Sequence, residues 1–238
     1  MNAPAEDTPA RHASDFLPSR NGFAFPNAWD DQVVRLTVRG KPFTISLQGR
    51  CGGMAFAALD YYRIGIDAFD LASRTMPDTR SPLARYLLRR QFTTLAGGMG
   101  ANMARFVAWT YRPTGGPSGA AALTRGREAG AVLAAMVAGN PAPVGLVTAD
   151  RLSGMGLNHQ VVACASETSA RGLRVNVYDP NFPGRDDVWL EFDWEGDAPI
   201  TEYVGGTARK LWRGMFVERY RPMLPPGVQR VSPEGGGA

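Results

Sequence analysis

The apolar positions change period part-way along the chain. Between about residues 51 and 138 they recur at helical spacing, and from about 144 they fall into short alternating runs. Cys51 to Arg63 is nearly all apolar and predicts a buried helix, ended near Gly65, which suits a C-cap. Ser81 to Leu95 predicts a second helix, with Ser81 as its cap and Pro82 in its first turn. Leu83, Tyr86, Leu87 and Arg90 mark its inner stripe. Ala101 to Thr110 and Arg125 to Ala138 predict two more helices, either side of the Pro/Gly loop from Arg112 to Ser118. Strands are expected at Val144–Thr148, His159–Ala165, Leu173–Asp179, Val188–Phe192 and Gly214–Tyr220. Val33–Val38 and Pro42–Leu47 flank Arg39-Gly40-Lys41 and predict a separate hairpin.

Helices followed by strands predict an α+β chain, a helical half of about residues 51–140 packed on an antiparallel sheet half of about 141–221. One domain over 16–221 accounts for both halves. Its first stretch, 16–32, is aromatic but full of turn formers, and so predicts an irregular arm over the body. Residues 1–15 and 222–238 predict a disordered leader and tail.

Composition narrows the classes. With 238 residues, 44% hydrophobic and 20% charged, the chain has the make-up of a soluble globular protein with a sizeable core. Its net charge of +4 rests almost wholly on Arg, Lys standing only at Lys41 and Lys210. No basic cluster is interleaved with aromatics, so no nucleic-acid partner is expected; Arg89-Arg90 and Arg125 to Arg127 read as solvated helix faces. No apolar run is long enough for a membrane span and no secretory signal is visible, which predicts a cytoplasmic protein with no membrane partner. Two cysteines make no disulfide framework, and reduced thiols fit that compartment.

The candidate chemistry starts at Cys51, in Gln48-Gly49-Arg50-Cys51-Gly52-Gly53. Here a strand-like run breaks and an apolar helix begins. A thiolate at a helix start faces unpaired N–H groups and the positive end of the dipole. Gly49 and Gly52 let another chain come close. His159 opens a strand after the Gly154-Met155-Gly156-Leu157 loop and is the candidate general base. Asp179 ends the next strand, before Pro180, and is the candidate orienter of the imidazole, with Asn181 as the alternative. Gln48 and the Cys51 N–H are the candidate oxyanion hole. Cys164 lies on the same strand as His159 and reads as core. A zinc set of Cys51, His159 and Cys164 lacks a fourth ligand and paired spacing, so no metal is expected. Asp186-Asp187 and Glu191, Asp193 and Glu195 read as surface carboxylates.

With these residues in place, the chain resembles the papain-like cysteine peptidase superfamily, and most the branch of bacterial peptidases that cleave double-glycine leaders. Gln48 with Cys51-Gly52, His159-Gln160-Val161-Val162 and Val177-Tyr178-Asp179-Pro180 carry the resemblance, in that order. The chain is also similar to a bacterial subfamily with Pro-Ser-x-x-Gly-Phe, Cys-Gly-Gly-Met-x-Phe-Ala-Ala-Leu-Asp-Tyr and Asn-His-Gln-Val, here Pro18 to Phe23, Cys51 to Tyr61 and Asn158 to Val161. The resemblance implies a papain-like fold and a thiol hydrolase, a peptidase or amidase acting without a cofactor on a peptide or amide substrate. An acyltransferase or amide synthase on the same fold, and a non-catalytic binding or effector protein, are the alternatives.

Overall fold

The structure is a computed structural model that describes residues 9–29, 32–38, 41–47 and 49–228, the side chains of 32–47 and 96–99 excepted. It is a mixed helical and antiparallel chain. In order, it contains strand β1 (Ala10–Ala13), helix α1 (Pro18–Asn21), the hairpin β2 (Gln32–Val38) and β3 (Lys41–Leu47), and helix α2 (Cys51–Arg63). A 3-10 turn (Ala68–Leu71) leads to α3 (Pro82–Thr110). Next comes α4 (Ala120–Leu123), continued through a π turn (Thr124–Glu128) into α5 (Ala129–Val137). The rest is β4 (Ala142–Val147), a 3-10 segment (Leu152–Leu157), β5 (His159–Thr168), β6 (Gly172–Tyr178), β7 (Val188–Asp193), β8 (Ile200–Val204), β9 (Thr207–Trp212) and β10 (Gly214–Val217).

Seven of these strands form one antiparallel sheet in the order β10-β4-β5-β6-β7-β8-β9, with β1 paired on β5 as an eighth. The sheet curls, and side-chain alternation sends its two faces into different cores. Val162, Cys164 and Tyr178 meet α2, α3 and the aromatic arm of Phe16, Phe23, Phe25 and Trp29. Val161, Ala163, Val175 and Val177 meet α5 and the strands that fold round beneath it. The arm is not wholly irregular, since α1 (Pro18–Asn21) lies within it, and its aromatic side chains are packed: Phe23 and Phe25 are wholly buried.

Several expectations need correction. Residues 10–13 are not a disordered leader, because β1 pairs with the β5 edge, Ala10 opposite Thr168 and His12 opposite Ser166. Met223, in the expected tail, donates its N–H to Asp60; residues 1–8 and 229–238 lie outside the described residues. The two helices expected over 81–110 are one, although Gly100 keeps a positive φ of 75° where the break was placed. Arg90 is not a solvated residue. It is buried and meets Asp60 with two nitrogens, Nε to Oδ2 at 2.6 Å and Nη2 to Oδ1 at 3.1 Å. Arg125 is tied down as well, donating to the carbonyls of Asp193 and Ala198.

The hairpin β8–β9 was missed. Its strands carry charges at Glu202, Arg209 and Lys210, which obscured the alternation. The signal was there: Val204 pairs with Thr207 across Gly205-Gly206, both at positive φ, as a two-residue primed turn requires.

The α2–α3 contact fixes where Cys51 sits. A Cβ added at Gly53 would stand 2.1 Å from the Leu87 carbonyl oxygen, so only glycine lets the two helices approach this closely. Gly53→Ala is expected to lower stability by about 1–3 kcal/mol, read as a fall in the urea midpoint. A gain, as helix propensity alone would give, would mean that the contact is looser.

Candidate active site

Cys51 is the first residue of α2 and is 7% exposed. Arg50 holds the approach. Its N–H donates to Asn27 Oδ1 at 2.6 Å, its Nη1 to the Ala84 carbonyl at 2.7 Å, and its guanidinium lies 3.8 Å from the Trp29 ring centre. The two flanking glycines do admit close neighbours, the Asn27 side chain at Gly49 and that of Gln160 at Gly52.

His159 opens β5 and Asp179 follows β6, so the ladder brings the two together at the ends of two neighbouring interior strands. His159 Nε2 lies 2.8 Å from Asp179 Oδ1. The Cys51 thiol is close enough for its charge to act on the ring. With Nε2 taken by the carboxylate, Nδ1 is the nitrogen left for sulfur. Asn181 is present too: its N–H donates to Asp179 Oδ1 at 2.7 Å, and its amide lies 3.2 Å from His159 Nε2. Both residues considered as orienter therefore reach the imidazole, and the carboxylate is the nearer. Trp212 backs the ring, stacked at 10° with centroids 5.9 Å apart.

The charges agree with this geometry. Burial pulls the His159 pKa down, but the charges of Asp179 and Cys51 and the hydrogen bond the ring donates to Asp179 outweigh it and hold the imidazole well above its ordinary value. Burial pushes the Asp179 carboxyl up; the His159 charge, with hydrogen bonds from His159, Glu202 and the Asn181 N–H, carries it below the usual range. A protonated imidazole against the Asp179 carboxylate is the state these interactions favour.

No family model, curated protein or solved structure matches the chain.

Two adjoining recesses open at the site, one beside the thiol and one beside the imidazole. One is lined by Cys51, Gln91, Leu95, Met103, Phe106 and Met155 and is largely apolar. The other, lined by Asn27, His159, Asn181 and Lys210, is polar. Gly49, Gly156 and Asn158 belong to both. Asn158 entered the sequence reading only as part of Asn-His-Gln-Val, with no role given to it. Its Oδ1 accepts from the Thr148 and Ala149 N–H groups at 3.0 Å each, while its buried Nδ2 has no partner among the described residues. Gln91 was missed. Its Oε1 accepts from the Gly53 N–H at 2.7 Å, which leaves its Nε2 group as a donor beside Cys51.

Gln48, the expected oxyanion donor, lies outside the described residues. Gln160 is no substitute, because its Nε2 is committed to both oxygens of the buried Glu218. Cys164 does not join the site. It falls on the opposite side of β5 from His159 by alternation, its Sγ donates to the Asn176 carbonyl, and burial pushes its thiol up to about 12. No three His, Cys, Asp or Glu side chains cluster as a metal site among the described residues. No helix among them is long and apolar enough to cross a membrane. The carboxylates at Asp186, Asp187, Glu191, Asp193 and Glu195 are exposed.

Proposed function

We propose that the chain is a papain-like thiol hydrolase, a peptidase or amidase that works through an acyl-enzyme on Cys51. The observation that carries this reading is the His159 ring held by Asp179 at 2.8 Å, with the Cys51 thiol at the start of α2 acting on the same ring. Sulfur attacks the carbonyl carbon of a peptide or amide. The carbonyl oxygen takes the negative charge beside the Cys51 N–H at the start of α2, where the helix dipole favours an anion. His159 gives its proton to the leaving amine, and the C–N bond breaks. The neutral imidazole then takes a proton from water, which attacks the thioester and frees the acid. Asp179 keeps the ring oriented and balances its charge throughout. The apolar recess beside Cys51 and the polar one beside His159 give the two sides of the scissile bond different surroundings.

Incubating the wild type and Cys51→Ala with a broad peptide library, read by mass spectrometry, tests the reading. Cleavage by the wild type alone is expected, with an acyl adduct on Cys51 trapped by rapid acid quench. No cleavage by either protein, and no adduct, would leave a non-catalytic site.

A further inference from the structure

Two buried carboxylates face each other behind His159. Asp179 spends Oδ1 on His159 and on the Asn181 N–H. Glu202, on β8, spends Oε2 on the Trp212 indole N–H at 3.1 Å. Their remaining oxygens, Asp179 Oδ2 and Glu202 Oε1, are both buried and have no donor among the described residues. Contacts on both sides draw them together: Asp179 holds the His159 ring, that ring stacks on Trp212, and the Trp212 N–H holds Glu202, so the two carboxyl groups act on each other. Two ionised carboxylates so placed would bury like charges with nothing between them.

We propose that Glu202 is a neutral carboxylic acid that donates its Oε1 proton to Asp179 Oδ2, and so acts as a positioning residue for the Asp179–His159 pair. One proton satisfies both orphaned oxygens at once, which no other described group does. Lys210 sits across the strand pair from Glu202, but its ammonium lies 3.8 Å over the Trp212 ring and reaches the Leu157 carbonyl at 3.5 Å. It pairs with neither carboxylate among the described residues. The groups facing Glu202 are thus Asp179 and His159 from the ends of β6 and β5, Lys210 and Trp212 from β9, and the Cys51 thiol beyond the ring.

The assignment bears on the Cys51 chemistry of the preceding subsection. A neutral Glu202 fixes Asp179 without adding a second negative charge. His159 is then held protonated by one carboxylate rather than two, and remains able to release its proton to a leaving group. Burial first, then the charge and hydrogen bond of Asp179, raise the Glu202 carboxyl to about 8 against the opposing pull of His159 and Trp212.

The test is a carboxyl carbon NMR titration of the full chain labelled at glutamate, with Glu202→Gln used to assign the signal. One glutamate resonance absent from the variant should remain in the protonated position at pH 7 and titrate near 8. A midpoint for it near the ordinary value of about 4.3 would overturn the proposal. A second arm follows iodoacetamide labelling of Cys51 at pH 6. Glu202→Gln, which can donate from Nε2 to Asp179, should keep the wild-type rate, while Glu202→Leu should lose about tenfold, as befits a lost hydrogen bond to a charged group. Equal losses in both would argue that the acid proton is not what holds Asp179. Failure of the thiol chemistry itself would appear separately, as wild-type labelling indifferent to His159, and leaves the NMR result to stand alone.

Discussion

Replacing His159 with alanine should collapse the reactivity of Cys51 at mildly acid pH. In the wild type the imidazole is held well above its ordinary pKa by the charges of Asp179 and Cys51, so it stays protonated beside the sulfur across pH 5–7. The sign follows from that direction. A base whose folded-state pKa is raised keeps its proton up to the raised value, so the imidazolium stays beside the sulfur over that window. A thiol without such a partner, with a pKa of about 8.5, is only about 0.3% thiolate at pH 6. A thiolate stabilised by a cation is also a weaker nucleophile, which takes back part of the advantage. The net expectation is a fall in iodoacetamide labelling on the order of tenfold to hundredfold at pH 6, shrinking as the pH approaches 9. Asp179→Asn should show a smaller change in the same direction. A pH–rate curve for the wild type that rises with a single midpoint near 8.5, unchanged in His159→Ala, would leave Cys51 as an ordinary buried thiol.

The three central residues were legible because each marks a local break in pattern. Cys51 stands where a strand-like run gives way to an apolar helix, His159 where a glycine loop gives way to a strand, and Asp179 where a strand meets proline. Such breaks can be read one at a time. What surrounds them could not be. Glu202, Lys210 and Trp212 reach the site only because β8 and β9 extend the sheet round behind His159, and that placement depends on pairings between strands far apart in sequence. Glycines 205 and 206 announced the turn but not where its arms would lie. The roles of Gln91 and Asn158 were not legible for a different reason. An amide carries no charge and no fixed spacing, and its role here follows from which end its backbone partners leave free. The alternation of His159 to Cys164 was informative in the opposite sense, since it already separated the second thiol from the first.

The largest expected loss of stability comes from Asp60→Ala. Asp60 lies nine residues along the same helix as Cys51 and is 1% exposed. Its carboxylate takes Arg90 and Tyr86 from α3, and Tyr220 and the Met223 N–H from the chain beyond β10. Arg90 is itself buried, with Phe56 and Tyr220 against its guanidinium. Replacing such a pair entirely by apolar residues can be neutral, because desolvation offsets much of the attraction. Removing one partner is different: the guanidinium stays behind, buried and unpaired, together with two hydroxyls. The expected cost is about 3–5 kcal/mol, a large share of the roughly 5–15 kcal/mol that holds a domain of this kind. Denaturant unfolding followed by tryptophan fluorescence measures it. Asp60→Ala combined with Arg90→Leu should recover part of the loss, since the double change removes the stranded charge. If instead the two losses simply add, the pair is not acting as a unit. The consequence for the site is direct, because the other end of this helix carries the nucleophile. A fall in stability after Asp60→Ala should be matched by faster Cys51 labelling at pH 8.5 through opening of α2, whereas losing His159 slows labelling without unfolding anything.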